Sequence, residues 1–417
     1  MSHDSQQIRR ADDNGDPARN DAMEDGFLRV IMVSSVLSKV ANWQMGVVVP
    51  LTILERTNSV AETLLSFALR GVAFIASPLL GFLIDRFDKR VIYVGSQLQQ
   101  AVCLVLLALL PADQITVSTL LLLSGVGAAT GTITGQFVLV PSLISAERRA
   151  LAAAKLASSL EFAKVIGVVI GGAAFSAWGA SPASLCIAGL YGGAGLLALL
   201  LPKVPSRAPR KGLRHDLAVG FQWVGKPEIT WLVVTMATVN LAIGQLEPAL
   251  ITVFKQEGIN ALLISTVIGV GLFIGAVGSR LSPHILPSWS MAHRILAFQL
   301  MSLVALCLVA VPHLLVKIPG FMCVSFAIGA CNVASITFRQ ETIPVDLAGR
   351  VNAVIRMFIM GAIPLSGALY AWSSRFDGYR FWLPELALAA VAVLVWGLHA
   401  RGGERAAATS TERGAQS

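Results

Sequence analysis

Long apolar blocks alternate with short polar stretches from about Phe27 to His399. Each block runs for about 20 residues, the length a helix needs to cross the hydrocarbon core of a bilayer. Twelve can be marked, at about 27–54, 63–84, 91–110, 117–140, 151–178, 183–201, 229–254, 261–281, 295–311, 315–338, 351–372 and 381–399. Most of the turns between them are too short for anything but an immediate return. The pattern predicts an all-α polytopic membrane protein with twelve transmembrane helices. Residues 1–26 are polar, lack the apolar stretch of a signal peptide, and read as a disordered cytosolic tail. Residues 401–417, rich in Ala, Thr and Arg, read as another.

Composition agrees with this pattern. The chain has 417 residues, 55% apolar and 13% charged, with a mean hydropathy of +0.70, whereas a soluble domain carries about a quarter charged residues. The formal net charge of +8 does not indicate nucleic acid, because the basic residues gather in every second loop: 85–90, 148–149, 203–227, 280–294 and 339–350. The intervening loops hold only Arg56, Lys255, Lys317, Arg375 and Arg380. That bias places the basic loops and both termini in the cytoplasm, and an even number of spans requires the termini to share a side. The most basic interior stretch, 203–227, has three prolines and reads as a cytosolic linker between a six-helix bundle at 27–202 and another at 228–400. The five cysteines lie in apolar blocks without metal-ligand spacing and read as packing residues. No metal or other cofactor is expected.

The two bundles also look like copies. Pro141–Arg148 and Pro344–Arg350 each place a proline, an acid and an arginine at similar spacing, six spans apart. Two pseudo-symmetric six-helix halves with a path between them are a common design among secondary transporters.

The stretch Gly81-Phe82-Leu83-Ile84-Asp85-Arg86-Phe87-Asp88-Lys89-Arg90 sits between spans two and three. It resembles the signature loop of the major facilitator superfamily at that location. The resemblance implies a conformational latch in which Gly81, Asp85, Arg86, Asp88 and Arg90 meet the cytosolic start of the eleventh helix near Asp346 and Arg350. Within the superfamily, several stretches resemble a bacterial efflux branch that includes siderophore exporters and macrolide efflux proteins. They are Leu37–Leu51, Ala68–Arg70, Val140–Arg148, Arg339–Val351 and Pro364–Gly367. That resemblance implies a monomeric exporter in the bacterial inner membrane. Three positions depart from the branch: Asn42 stands where an aspartate is usual, Gln136 where an arginine is common, and Gly167–Gly172 keeps the glycines of the antiporter motif without its proline. Gly278–Leu281 is a degenerate copy of the signature loop.

Charge inside a span costs about 2.5–3.5 kcal/mol on insertion scales, so each such residue asks for a reason. Lys39, Arg70, Glu161, Lys164, Glu247 and Arg356 fall there. Amides, which must find partners in lipid, add Asn42, Gln44, Gln97, Gln100, Gln136, Asn240, Gln245 and Asn332. The expected substrate cavity comprises Lys39, Asn42, Arg70, Gln136, Asn240, Gln245, Asn332 and Arg356, a basic, amide-rich set suited to an anionic or oxygen-rich small molecule. Glu247, with no base close by in its own helix, is the first candidate for proton coupling and Glu161 the second. Other roles stay open: Glu161 and Lys164 can pair, Arg356 can snorkel to the interface, and Arg70 can partner Glu62. The expected function is proton-antiport export of such a metabolite, with a siderophore first. Macrolide-type drug efflux and lysophospholipid flipping are the alternatives. A membrane-embedded enzyme is disfavoured because His284, His293 and His313 stand without acids, and no P-loop offers ATP as the energy source.

Overall fold

A computed structural model describes residues 17–110, 113–205, 213–344 and 347–415. The N-terminal half begins with α1 (Pro17–Thr57), the broken pair α2 (Val60–Val72) and α3 (Ser77–Arg86), and α4 (Lys89–Leu109). It continues with α5 (Gln114–Ile133), which runs through a π-helical turn, Thr134–Leu139, into α6 (Val140–Leu143), and ends with α7 (Ala146–Trp178) and α8 (Ala180–Ala198). A linker helix, α9 (Leu213–Val224), precedes the second half. There the broken pair α10 (Pro227–Ile243) and α11 (Leu246–Gln256) is followed by α12 (Ala261–Leu281), α13 (Met291–Val309), α14 (Leu314–Thr342), α15 (Ala348–Ser373) and α16 (Leu383–Ala415). The described residues contain no strand.

Ten helical stretches are long and apolar enough to cross a membrane. The other two apolar blocks marked in the sequence fall on α1, which carries Lys39, Asn42 and Gln44, and on the pair α2–α3, whose break leaves each piece short. Polar side chains close several of the turns by accepting from the first free amides of a helix. Ser59 accepts from Glu62 N at 3.2 Å, Asp113 from Thr116 N at 2.8 Å and Asn260 from Leu263 N at 2.8 Å. Gly179 takes φ +79° between α7 and α8, a conformation that favours glycine.

Two segments expected to be disordered carry helix instead. Helix α1 starts at Pro17, well inside the polar segment 1–26, and α16 runs on to Ala415. Proline fits the first turn of a helix, and the acidic start of α1 is held by the loop before α7. Glu24 accepts from both the amide and the hydroxyl of Ser145, at 3.1 and 3.0 Å, and Arg148 pairs with Asp25. After residue 400, Ala, Arg and Glu sustain the helix through their high propensity. Residues 1–16 and 416–417 lie outside the described residues.

The apolar core shows how the halves meet. At the side opposite the chain ends, one buried cluster is continuous across both halves, from Met45 and Leu51 through Leu120 and Tyr191 to Leu250, Phe321 and Trp382. At the side of the chain ends, the core splits into two. One cluster around Ile31, Tyr93 and Leu156 belongs to the N-terminal half, and one around Leu232, Ile355 and Trp396 to the C-terminal half. The molecule is therefore closed at the far side and parted at the terminal side. Helix pairs make the far-side closure: α1 and α2 with α11, α2 with α15, and α7 with α12. Lys255 also pairs with Glu55 across it, at 2.9 Å.

The signature loop is tied into its own half. Asp88 caps α4, accepting from the amides of Arg90 and Val91 at 2.9 and 3.2 Å, and Arg90 donates to Leu201 O at 2.9 Å. Lys89, which the sequence reading passed over, is buried and donates to Ile84 O at 2.6 Å and Phe87 O at 3.2 Å. Replacing Lys89 by methionine strips those carbonyls of a donor and should cost about 1–3 kcal/mol. A lowered melting temperature of the detergent-purified protein is the check, and an unchanged one would show that the bonds are dispensable.

Candidate functional site

Between the halves, below the far-side closure, lies a cavity of about 370 Å³. Helix α1 contributes Trp43, and α7 contributes Glu161 and Lys164. The broken pair α10–α11 contributes Asn240 and Glu247, α12 contributes Ser279, and α14 contributes Phe321, Ser325 and Asn332. The wall thus mixes one cation, two acids, two amides, two hydroxyls and two aromatic rings.

Local sequence positions these groups. Gly167 lets α7 lie directly on α1: a Cβ there would sit 2.6 Å from Val40 O and 3.0 Å from the Cβ of Trp43. Trp43 is thereby fixed against α7, with its indole nitrogen buried and without a hydrogen-bond partner. Glu161 and Lys164 lie three residues apart on one helix face and form an ion pair at 2.6 Å. Pro248 lacks the N–H that would continue the helical ladder across Gly244, so α10 ends there and α11 restarts at Leu246 with Glu247 in its first turn. Gln245 bridges the break: its backbone amide donates to Ser366 Oγ at 3.1 Å, and its side chain, expected in the cavity, is buried outside the lining with Oε1 unpartnered.

The residues expected to line one cavity are divided among several places. Asn240, Asn332, Glu161 and Glu247 line the large cavity together. Lys39, Asn42 and Gln136 instead surround a separate pocket of about 20 Å³ inside the N-terminal half, beside Tyr93 and Gln100. That volume holds about one water molecule. Arg70 donates to Asn42 Oδ1 at 2.5 Å, so its partner is this amide rather than Glu62, and its Nε is buried without one. Arg356 sits toward the terminal side, with its guanidinium 5.6 Å from the ring centre of Phe137 on the π-helical turn across the gap. Of the latch set, Asp346 lies outside the described residues, and a Cβ on Gly81 would meet nothing within 4 Å. Arg86 is exposed and Arg350 half-buried.

Sequence reasoning missed four contributors, Trp43, Ser279, Phe321 and Ser325. Trp43 was quoted only as part of a family-like stretch, because an aromatic in an apolar block gives no sign of facing a cavity. Ser279 and Ser325 are ordinary in a helix, where a serine can satisfy itself on its own backbone, as Ser279 does on Gly275 O at 3.1 Å. A buried acid was also passed over: Glu385, at the far end of α16, accepts from Ser373 Oγ at 2.8 Å and lies outside the cavity.

Comparison with known proteins adds the family. The model of the Major Facilitator Superfamily matches residues 31–367. This chain belongs to that superfamily. Like its other members the protein is a transporter, and its all-helical membrane fold is the superfamily's. It is 27% identical over 353 residues to the enterobactin exporter EntS of Escherichia coli O1:K1, covering 78% of this chain and 80% of that one. Its fold is similar to the nucleoside transporter NupG, with a TM-score of 0.74 at 13% identity over 89% of this chain and 99% of that chain. It is also similar to a bacterial homologue of the human lysosomal transporter Spinster in an inward-facing, unoccupied conformation. There the TM-score is 0.72 at 15% identity, over 91% of this chain and 97% of that chain. At these identities the structural likeness is one of fold.

Proposed function

We propose that this major facilitator protein exports a siderophore, or a closely similar anionic, oxygen-rich metabolite, from the bacterial cytoplasm in exchange for protons. The observation that carries the reading is the identity to enterobactin exporters across most of both chains. The inter-half cavity supports it chemically. Lys164, Asn240 and Asn332 are donors suited to carboxylate, hydroxamate or hydroxyl oxygens, and Trp43 and Phe321 add apolar wall. The basic loops support an inner-membrane orientation with the terminal side in the cytoplasm. The cavity then opens inward, where cargo is loaded. Glu247 is the proton-carrying acid in this reading, and Asp85 closes the latch against α15 when the cytosolic side shuts. Lys39 and Arg70 act from the pocket beside the path, holding α1 in place for Trp43.

Deleting the gene under iron starvation tests the cargo. Siderophore should accumulate inside the cells and fall several-fold in the medium. Unchanged secretion with no internal build-up would remove the siderophore from the proposal and leave the transporter without its assigned cargo.

A further inference from the structure

The three ionisable groups of the cavity are placed unequally between the halves. Lys164 and Glu161 belong to α7 of the N-terminal half and are paired, while Glu247 belongs to α11 of the C-terminal half. Glu247 makes no hydrogen bond or ion pair with any described residue, yet it lines the same cavity as Lys164, the one cation of that wall. The other walls face it with neutral groups: Trp43 from α1, Asn240 from α10, serines from α12 and α14, and Asn332 from α14. Lysine carries its charge on a flexible four-carbon stem, so its ammonium can change partners without a backbone shift.

The geometry points to Lys164 as the residue that converts the charge on Glu247 into movement of the two halves, by exchanging one carboxylate partner for another. This rests on the reading of Glu247 as the proton carrier. With Glu247 neutral, Lys164 stays with Glu161 and both charges remain inside one half. With Glu247 ionised, Lys164 is drawn across the cavity, and the new pair ties α7 to α11. That tie lies on the open side of the far-side closure, because the contact of Gly172 with Ser265 is about two turns farther along α7. Forming it narrows the terminal mouth. Raised pH therefore favours the narrowed form and lowered pH the open one.

Distance measurement between spin labels tests this without any cargo. Labels placed by Ser142→Cys and Gln340→Cys, both exposed at the terminal side, report the mouth of the protein in lipid nanodiscs, with the exposed native cysteines replaced by alanine. The wild-type background should shift from a longer to a shorter distance as pH rises. Glu247→Gln should stay long at every pH. Lys164→Gln should lose the shift, and adding Glu161→Gln should not restore it. Glu161→Gln alone should keep the shift with its midpoint lowered by roughly half a pH unit, since the competing carboxylate is gone. A pH response that survives Lys164→Gln overturns the inference. So does a midpoint that is unmoved or raised in Glu161→Gln, or the absence of any shift in the wild-type background. The siderophore assay addresses the cargo alone, so either proposal can fail while the other stands.

Discussion

Replacing Glu247 by glutamine abolishes proton-driven efflux while leaving exchange of cargo between equal pools intact. Glutamine keeps the shape and much of the polarity of the side chain but has no proton to trade. With one proton exchanged per cargo, a gradient of one pH unit sustains a roughly tenfold cargo gradient, and the variant should lose that factor for every unit imposed. Proteoliposomes with an acidic interior check it, because outward proton flow should then concentrate cargo inside only with Glu247 present. A pH-gradient response that persists in Glu247→Gln would remove this residue from the coupling. The expectation draws on placement as well as residue type. Glu247 opens α11 just past the helix break and lines the cavity, whereas the other buried acid, Glu385, is held by Ser373 away from the path.

The second large effect comes from a residue that carries no chemistry. A Cβ on Gly172 would lie 1.9 Å from Ser265 Oγ and 2.5 Å from Ala261 O. The glycine is where α7 of one half crosses α12 of the other at the far side. Leucine at this position should prevent that closure. Overpacking of this kind costs about 1–3 kcal/mol, a shift in the balance of states of roughly 5- to 150-fold. The variant should favour a far-side-open form and transport slowly in both directions. Labelling of a cysteine introduced at Ser176 by an impermeant reagent added from the far side reads the change. Ser176 Oγ accepts from the Leu262 amide at 3.0 Å across the same contact. Unchanged labelling and transport in Gly172→Leu would show that α7 and α12 can part here without consequence.

The glycines of Gly167–Gly172 illustrate how far a motif can be read. Their presence in span five suggested close packing and gave only weak support for antiport. In the structure they have two jobs. Gly167 and Gly171 seat α7 on α1 beside Trp43 and Gln44, and Gly172 seats it on the opposite half. The signature loop behaves similarly. Its charges pointed to a contact with α15, yet Asp88 and Arg90 spend their hydrogen bonds within the N-terminal half. The latch's reach to α15 belongs to the proposed function, and the hydrogen bonds of Asp88 and Arg90 instead anchor the loop within its own half.

By itself the sequence determined the all-helical, membrane-spanning class and the superfamily. The class follows from the length and periodicity of apolar blocks, because a bilayer admits few alternatives for a chain whose backbone must satisfy its own hydrogen bonds. The tertiary structure decided which polar residues of those blocks share a space. Lys39, Asn42 and Arg70 turn into their own bundle, while Glu161, Lys164, Asn240, Glu247 and Asn332 face one another between the halves. Helical periodicity fixes the face a residue occupies, but the neighbour of that face depends on how the helices pack, and on breaks such as the one at Gly244 that swing a single acid into the path.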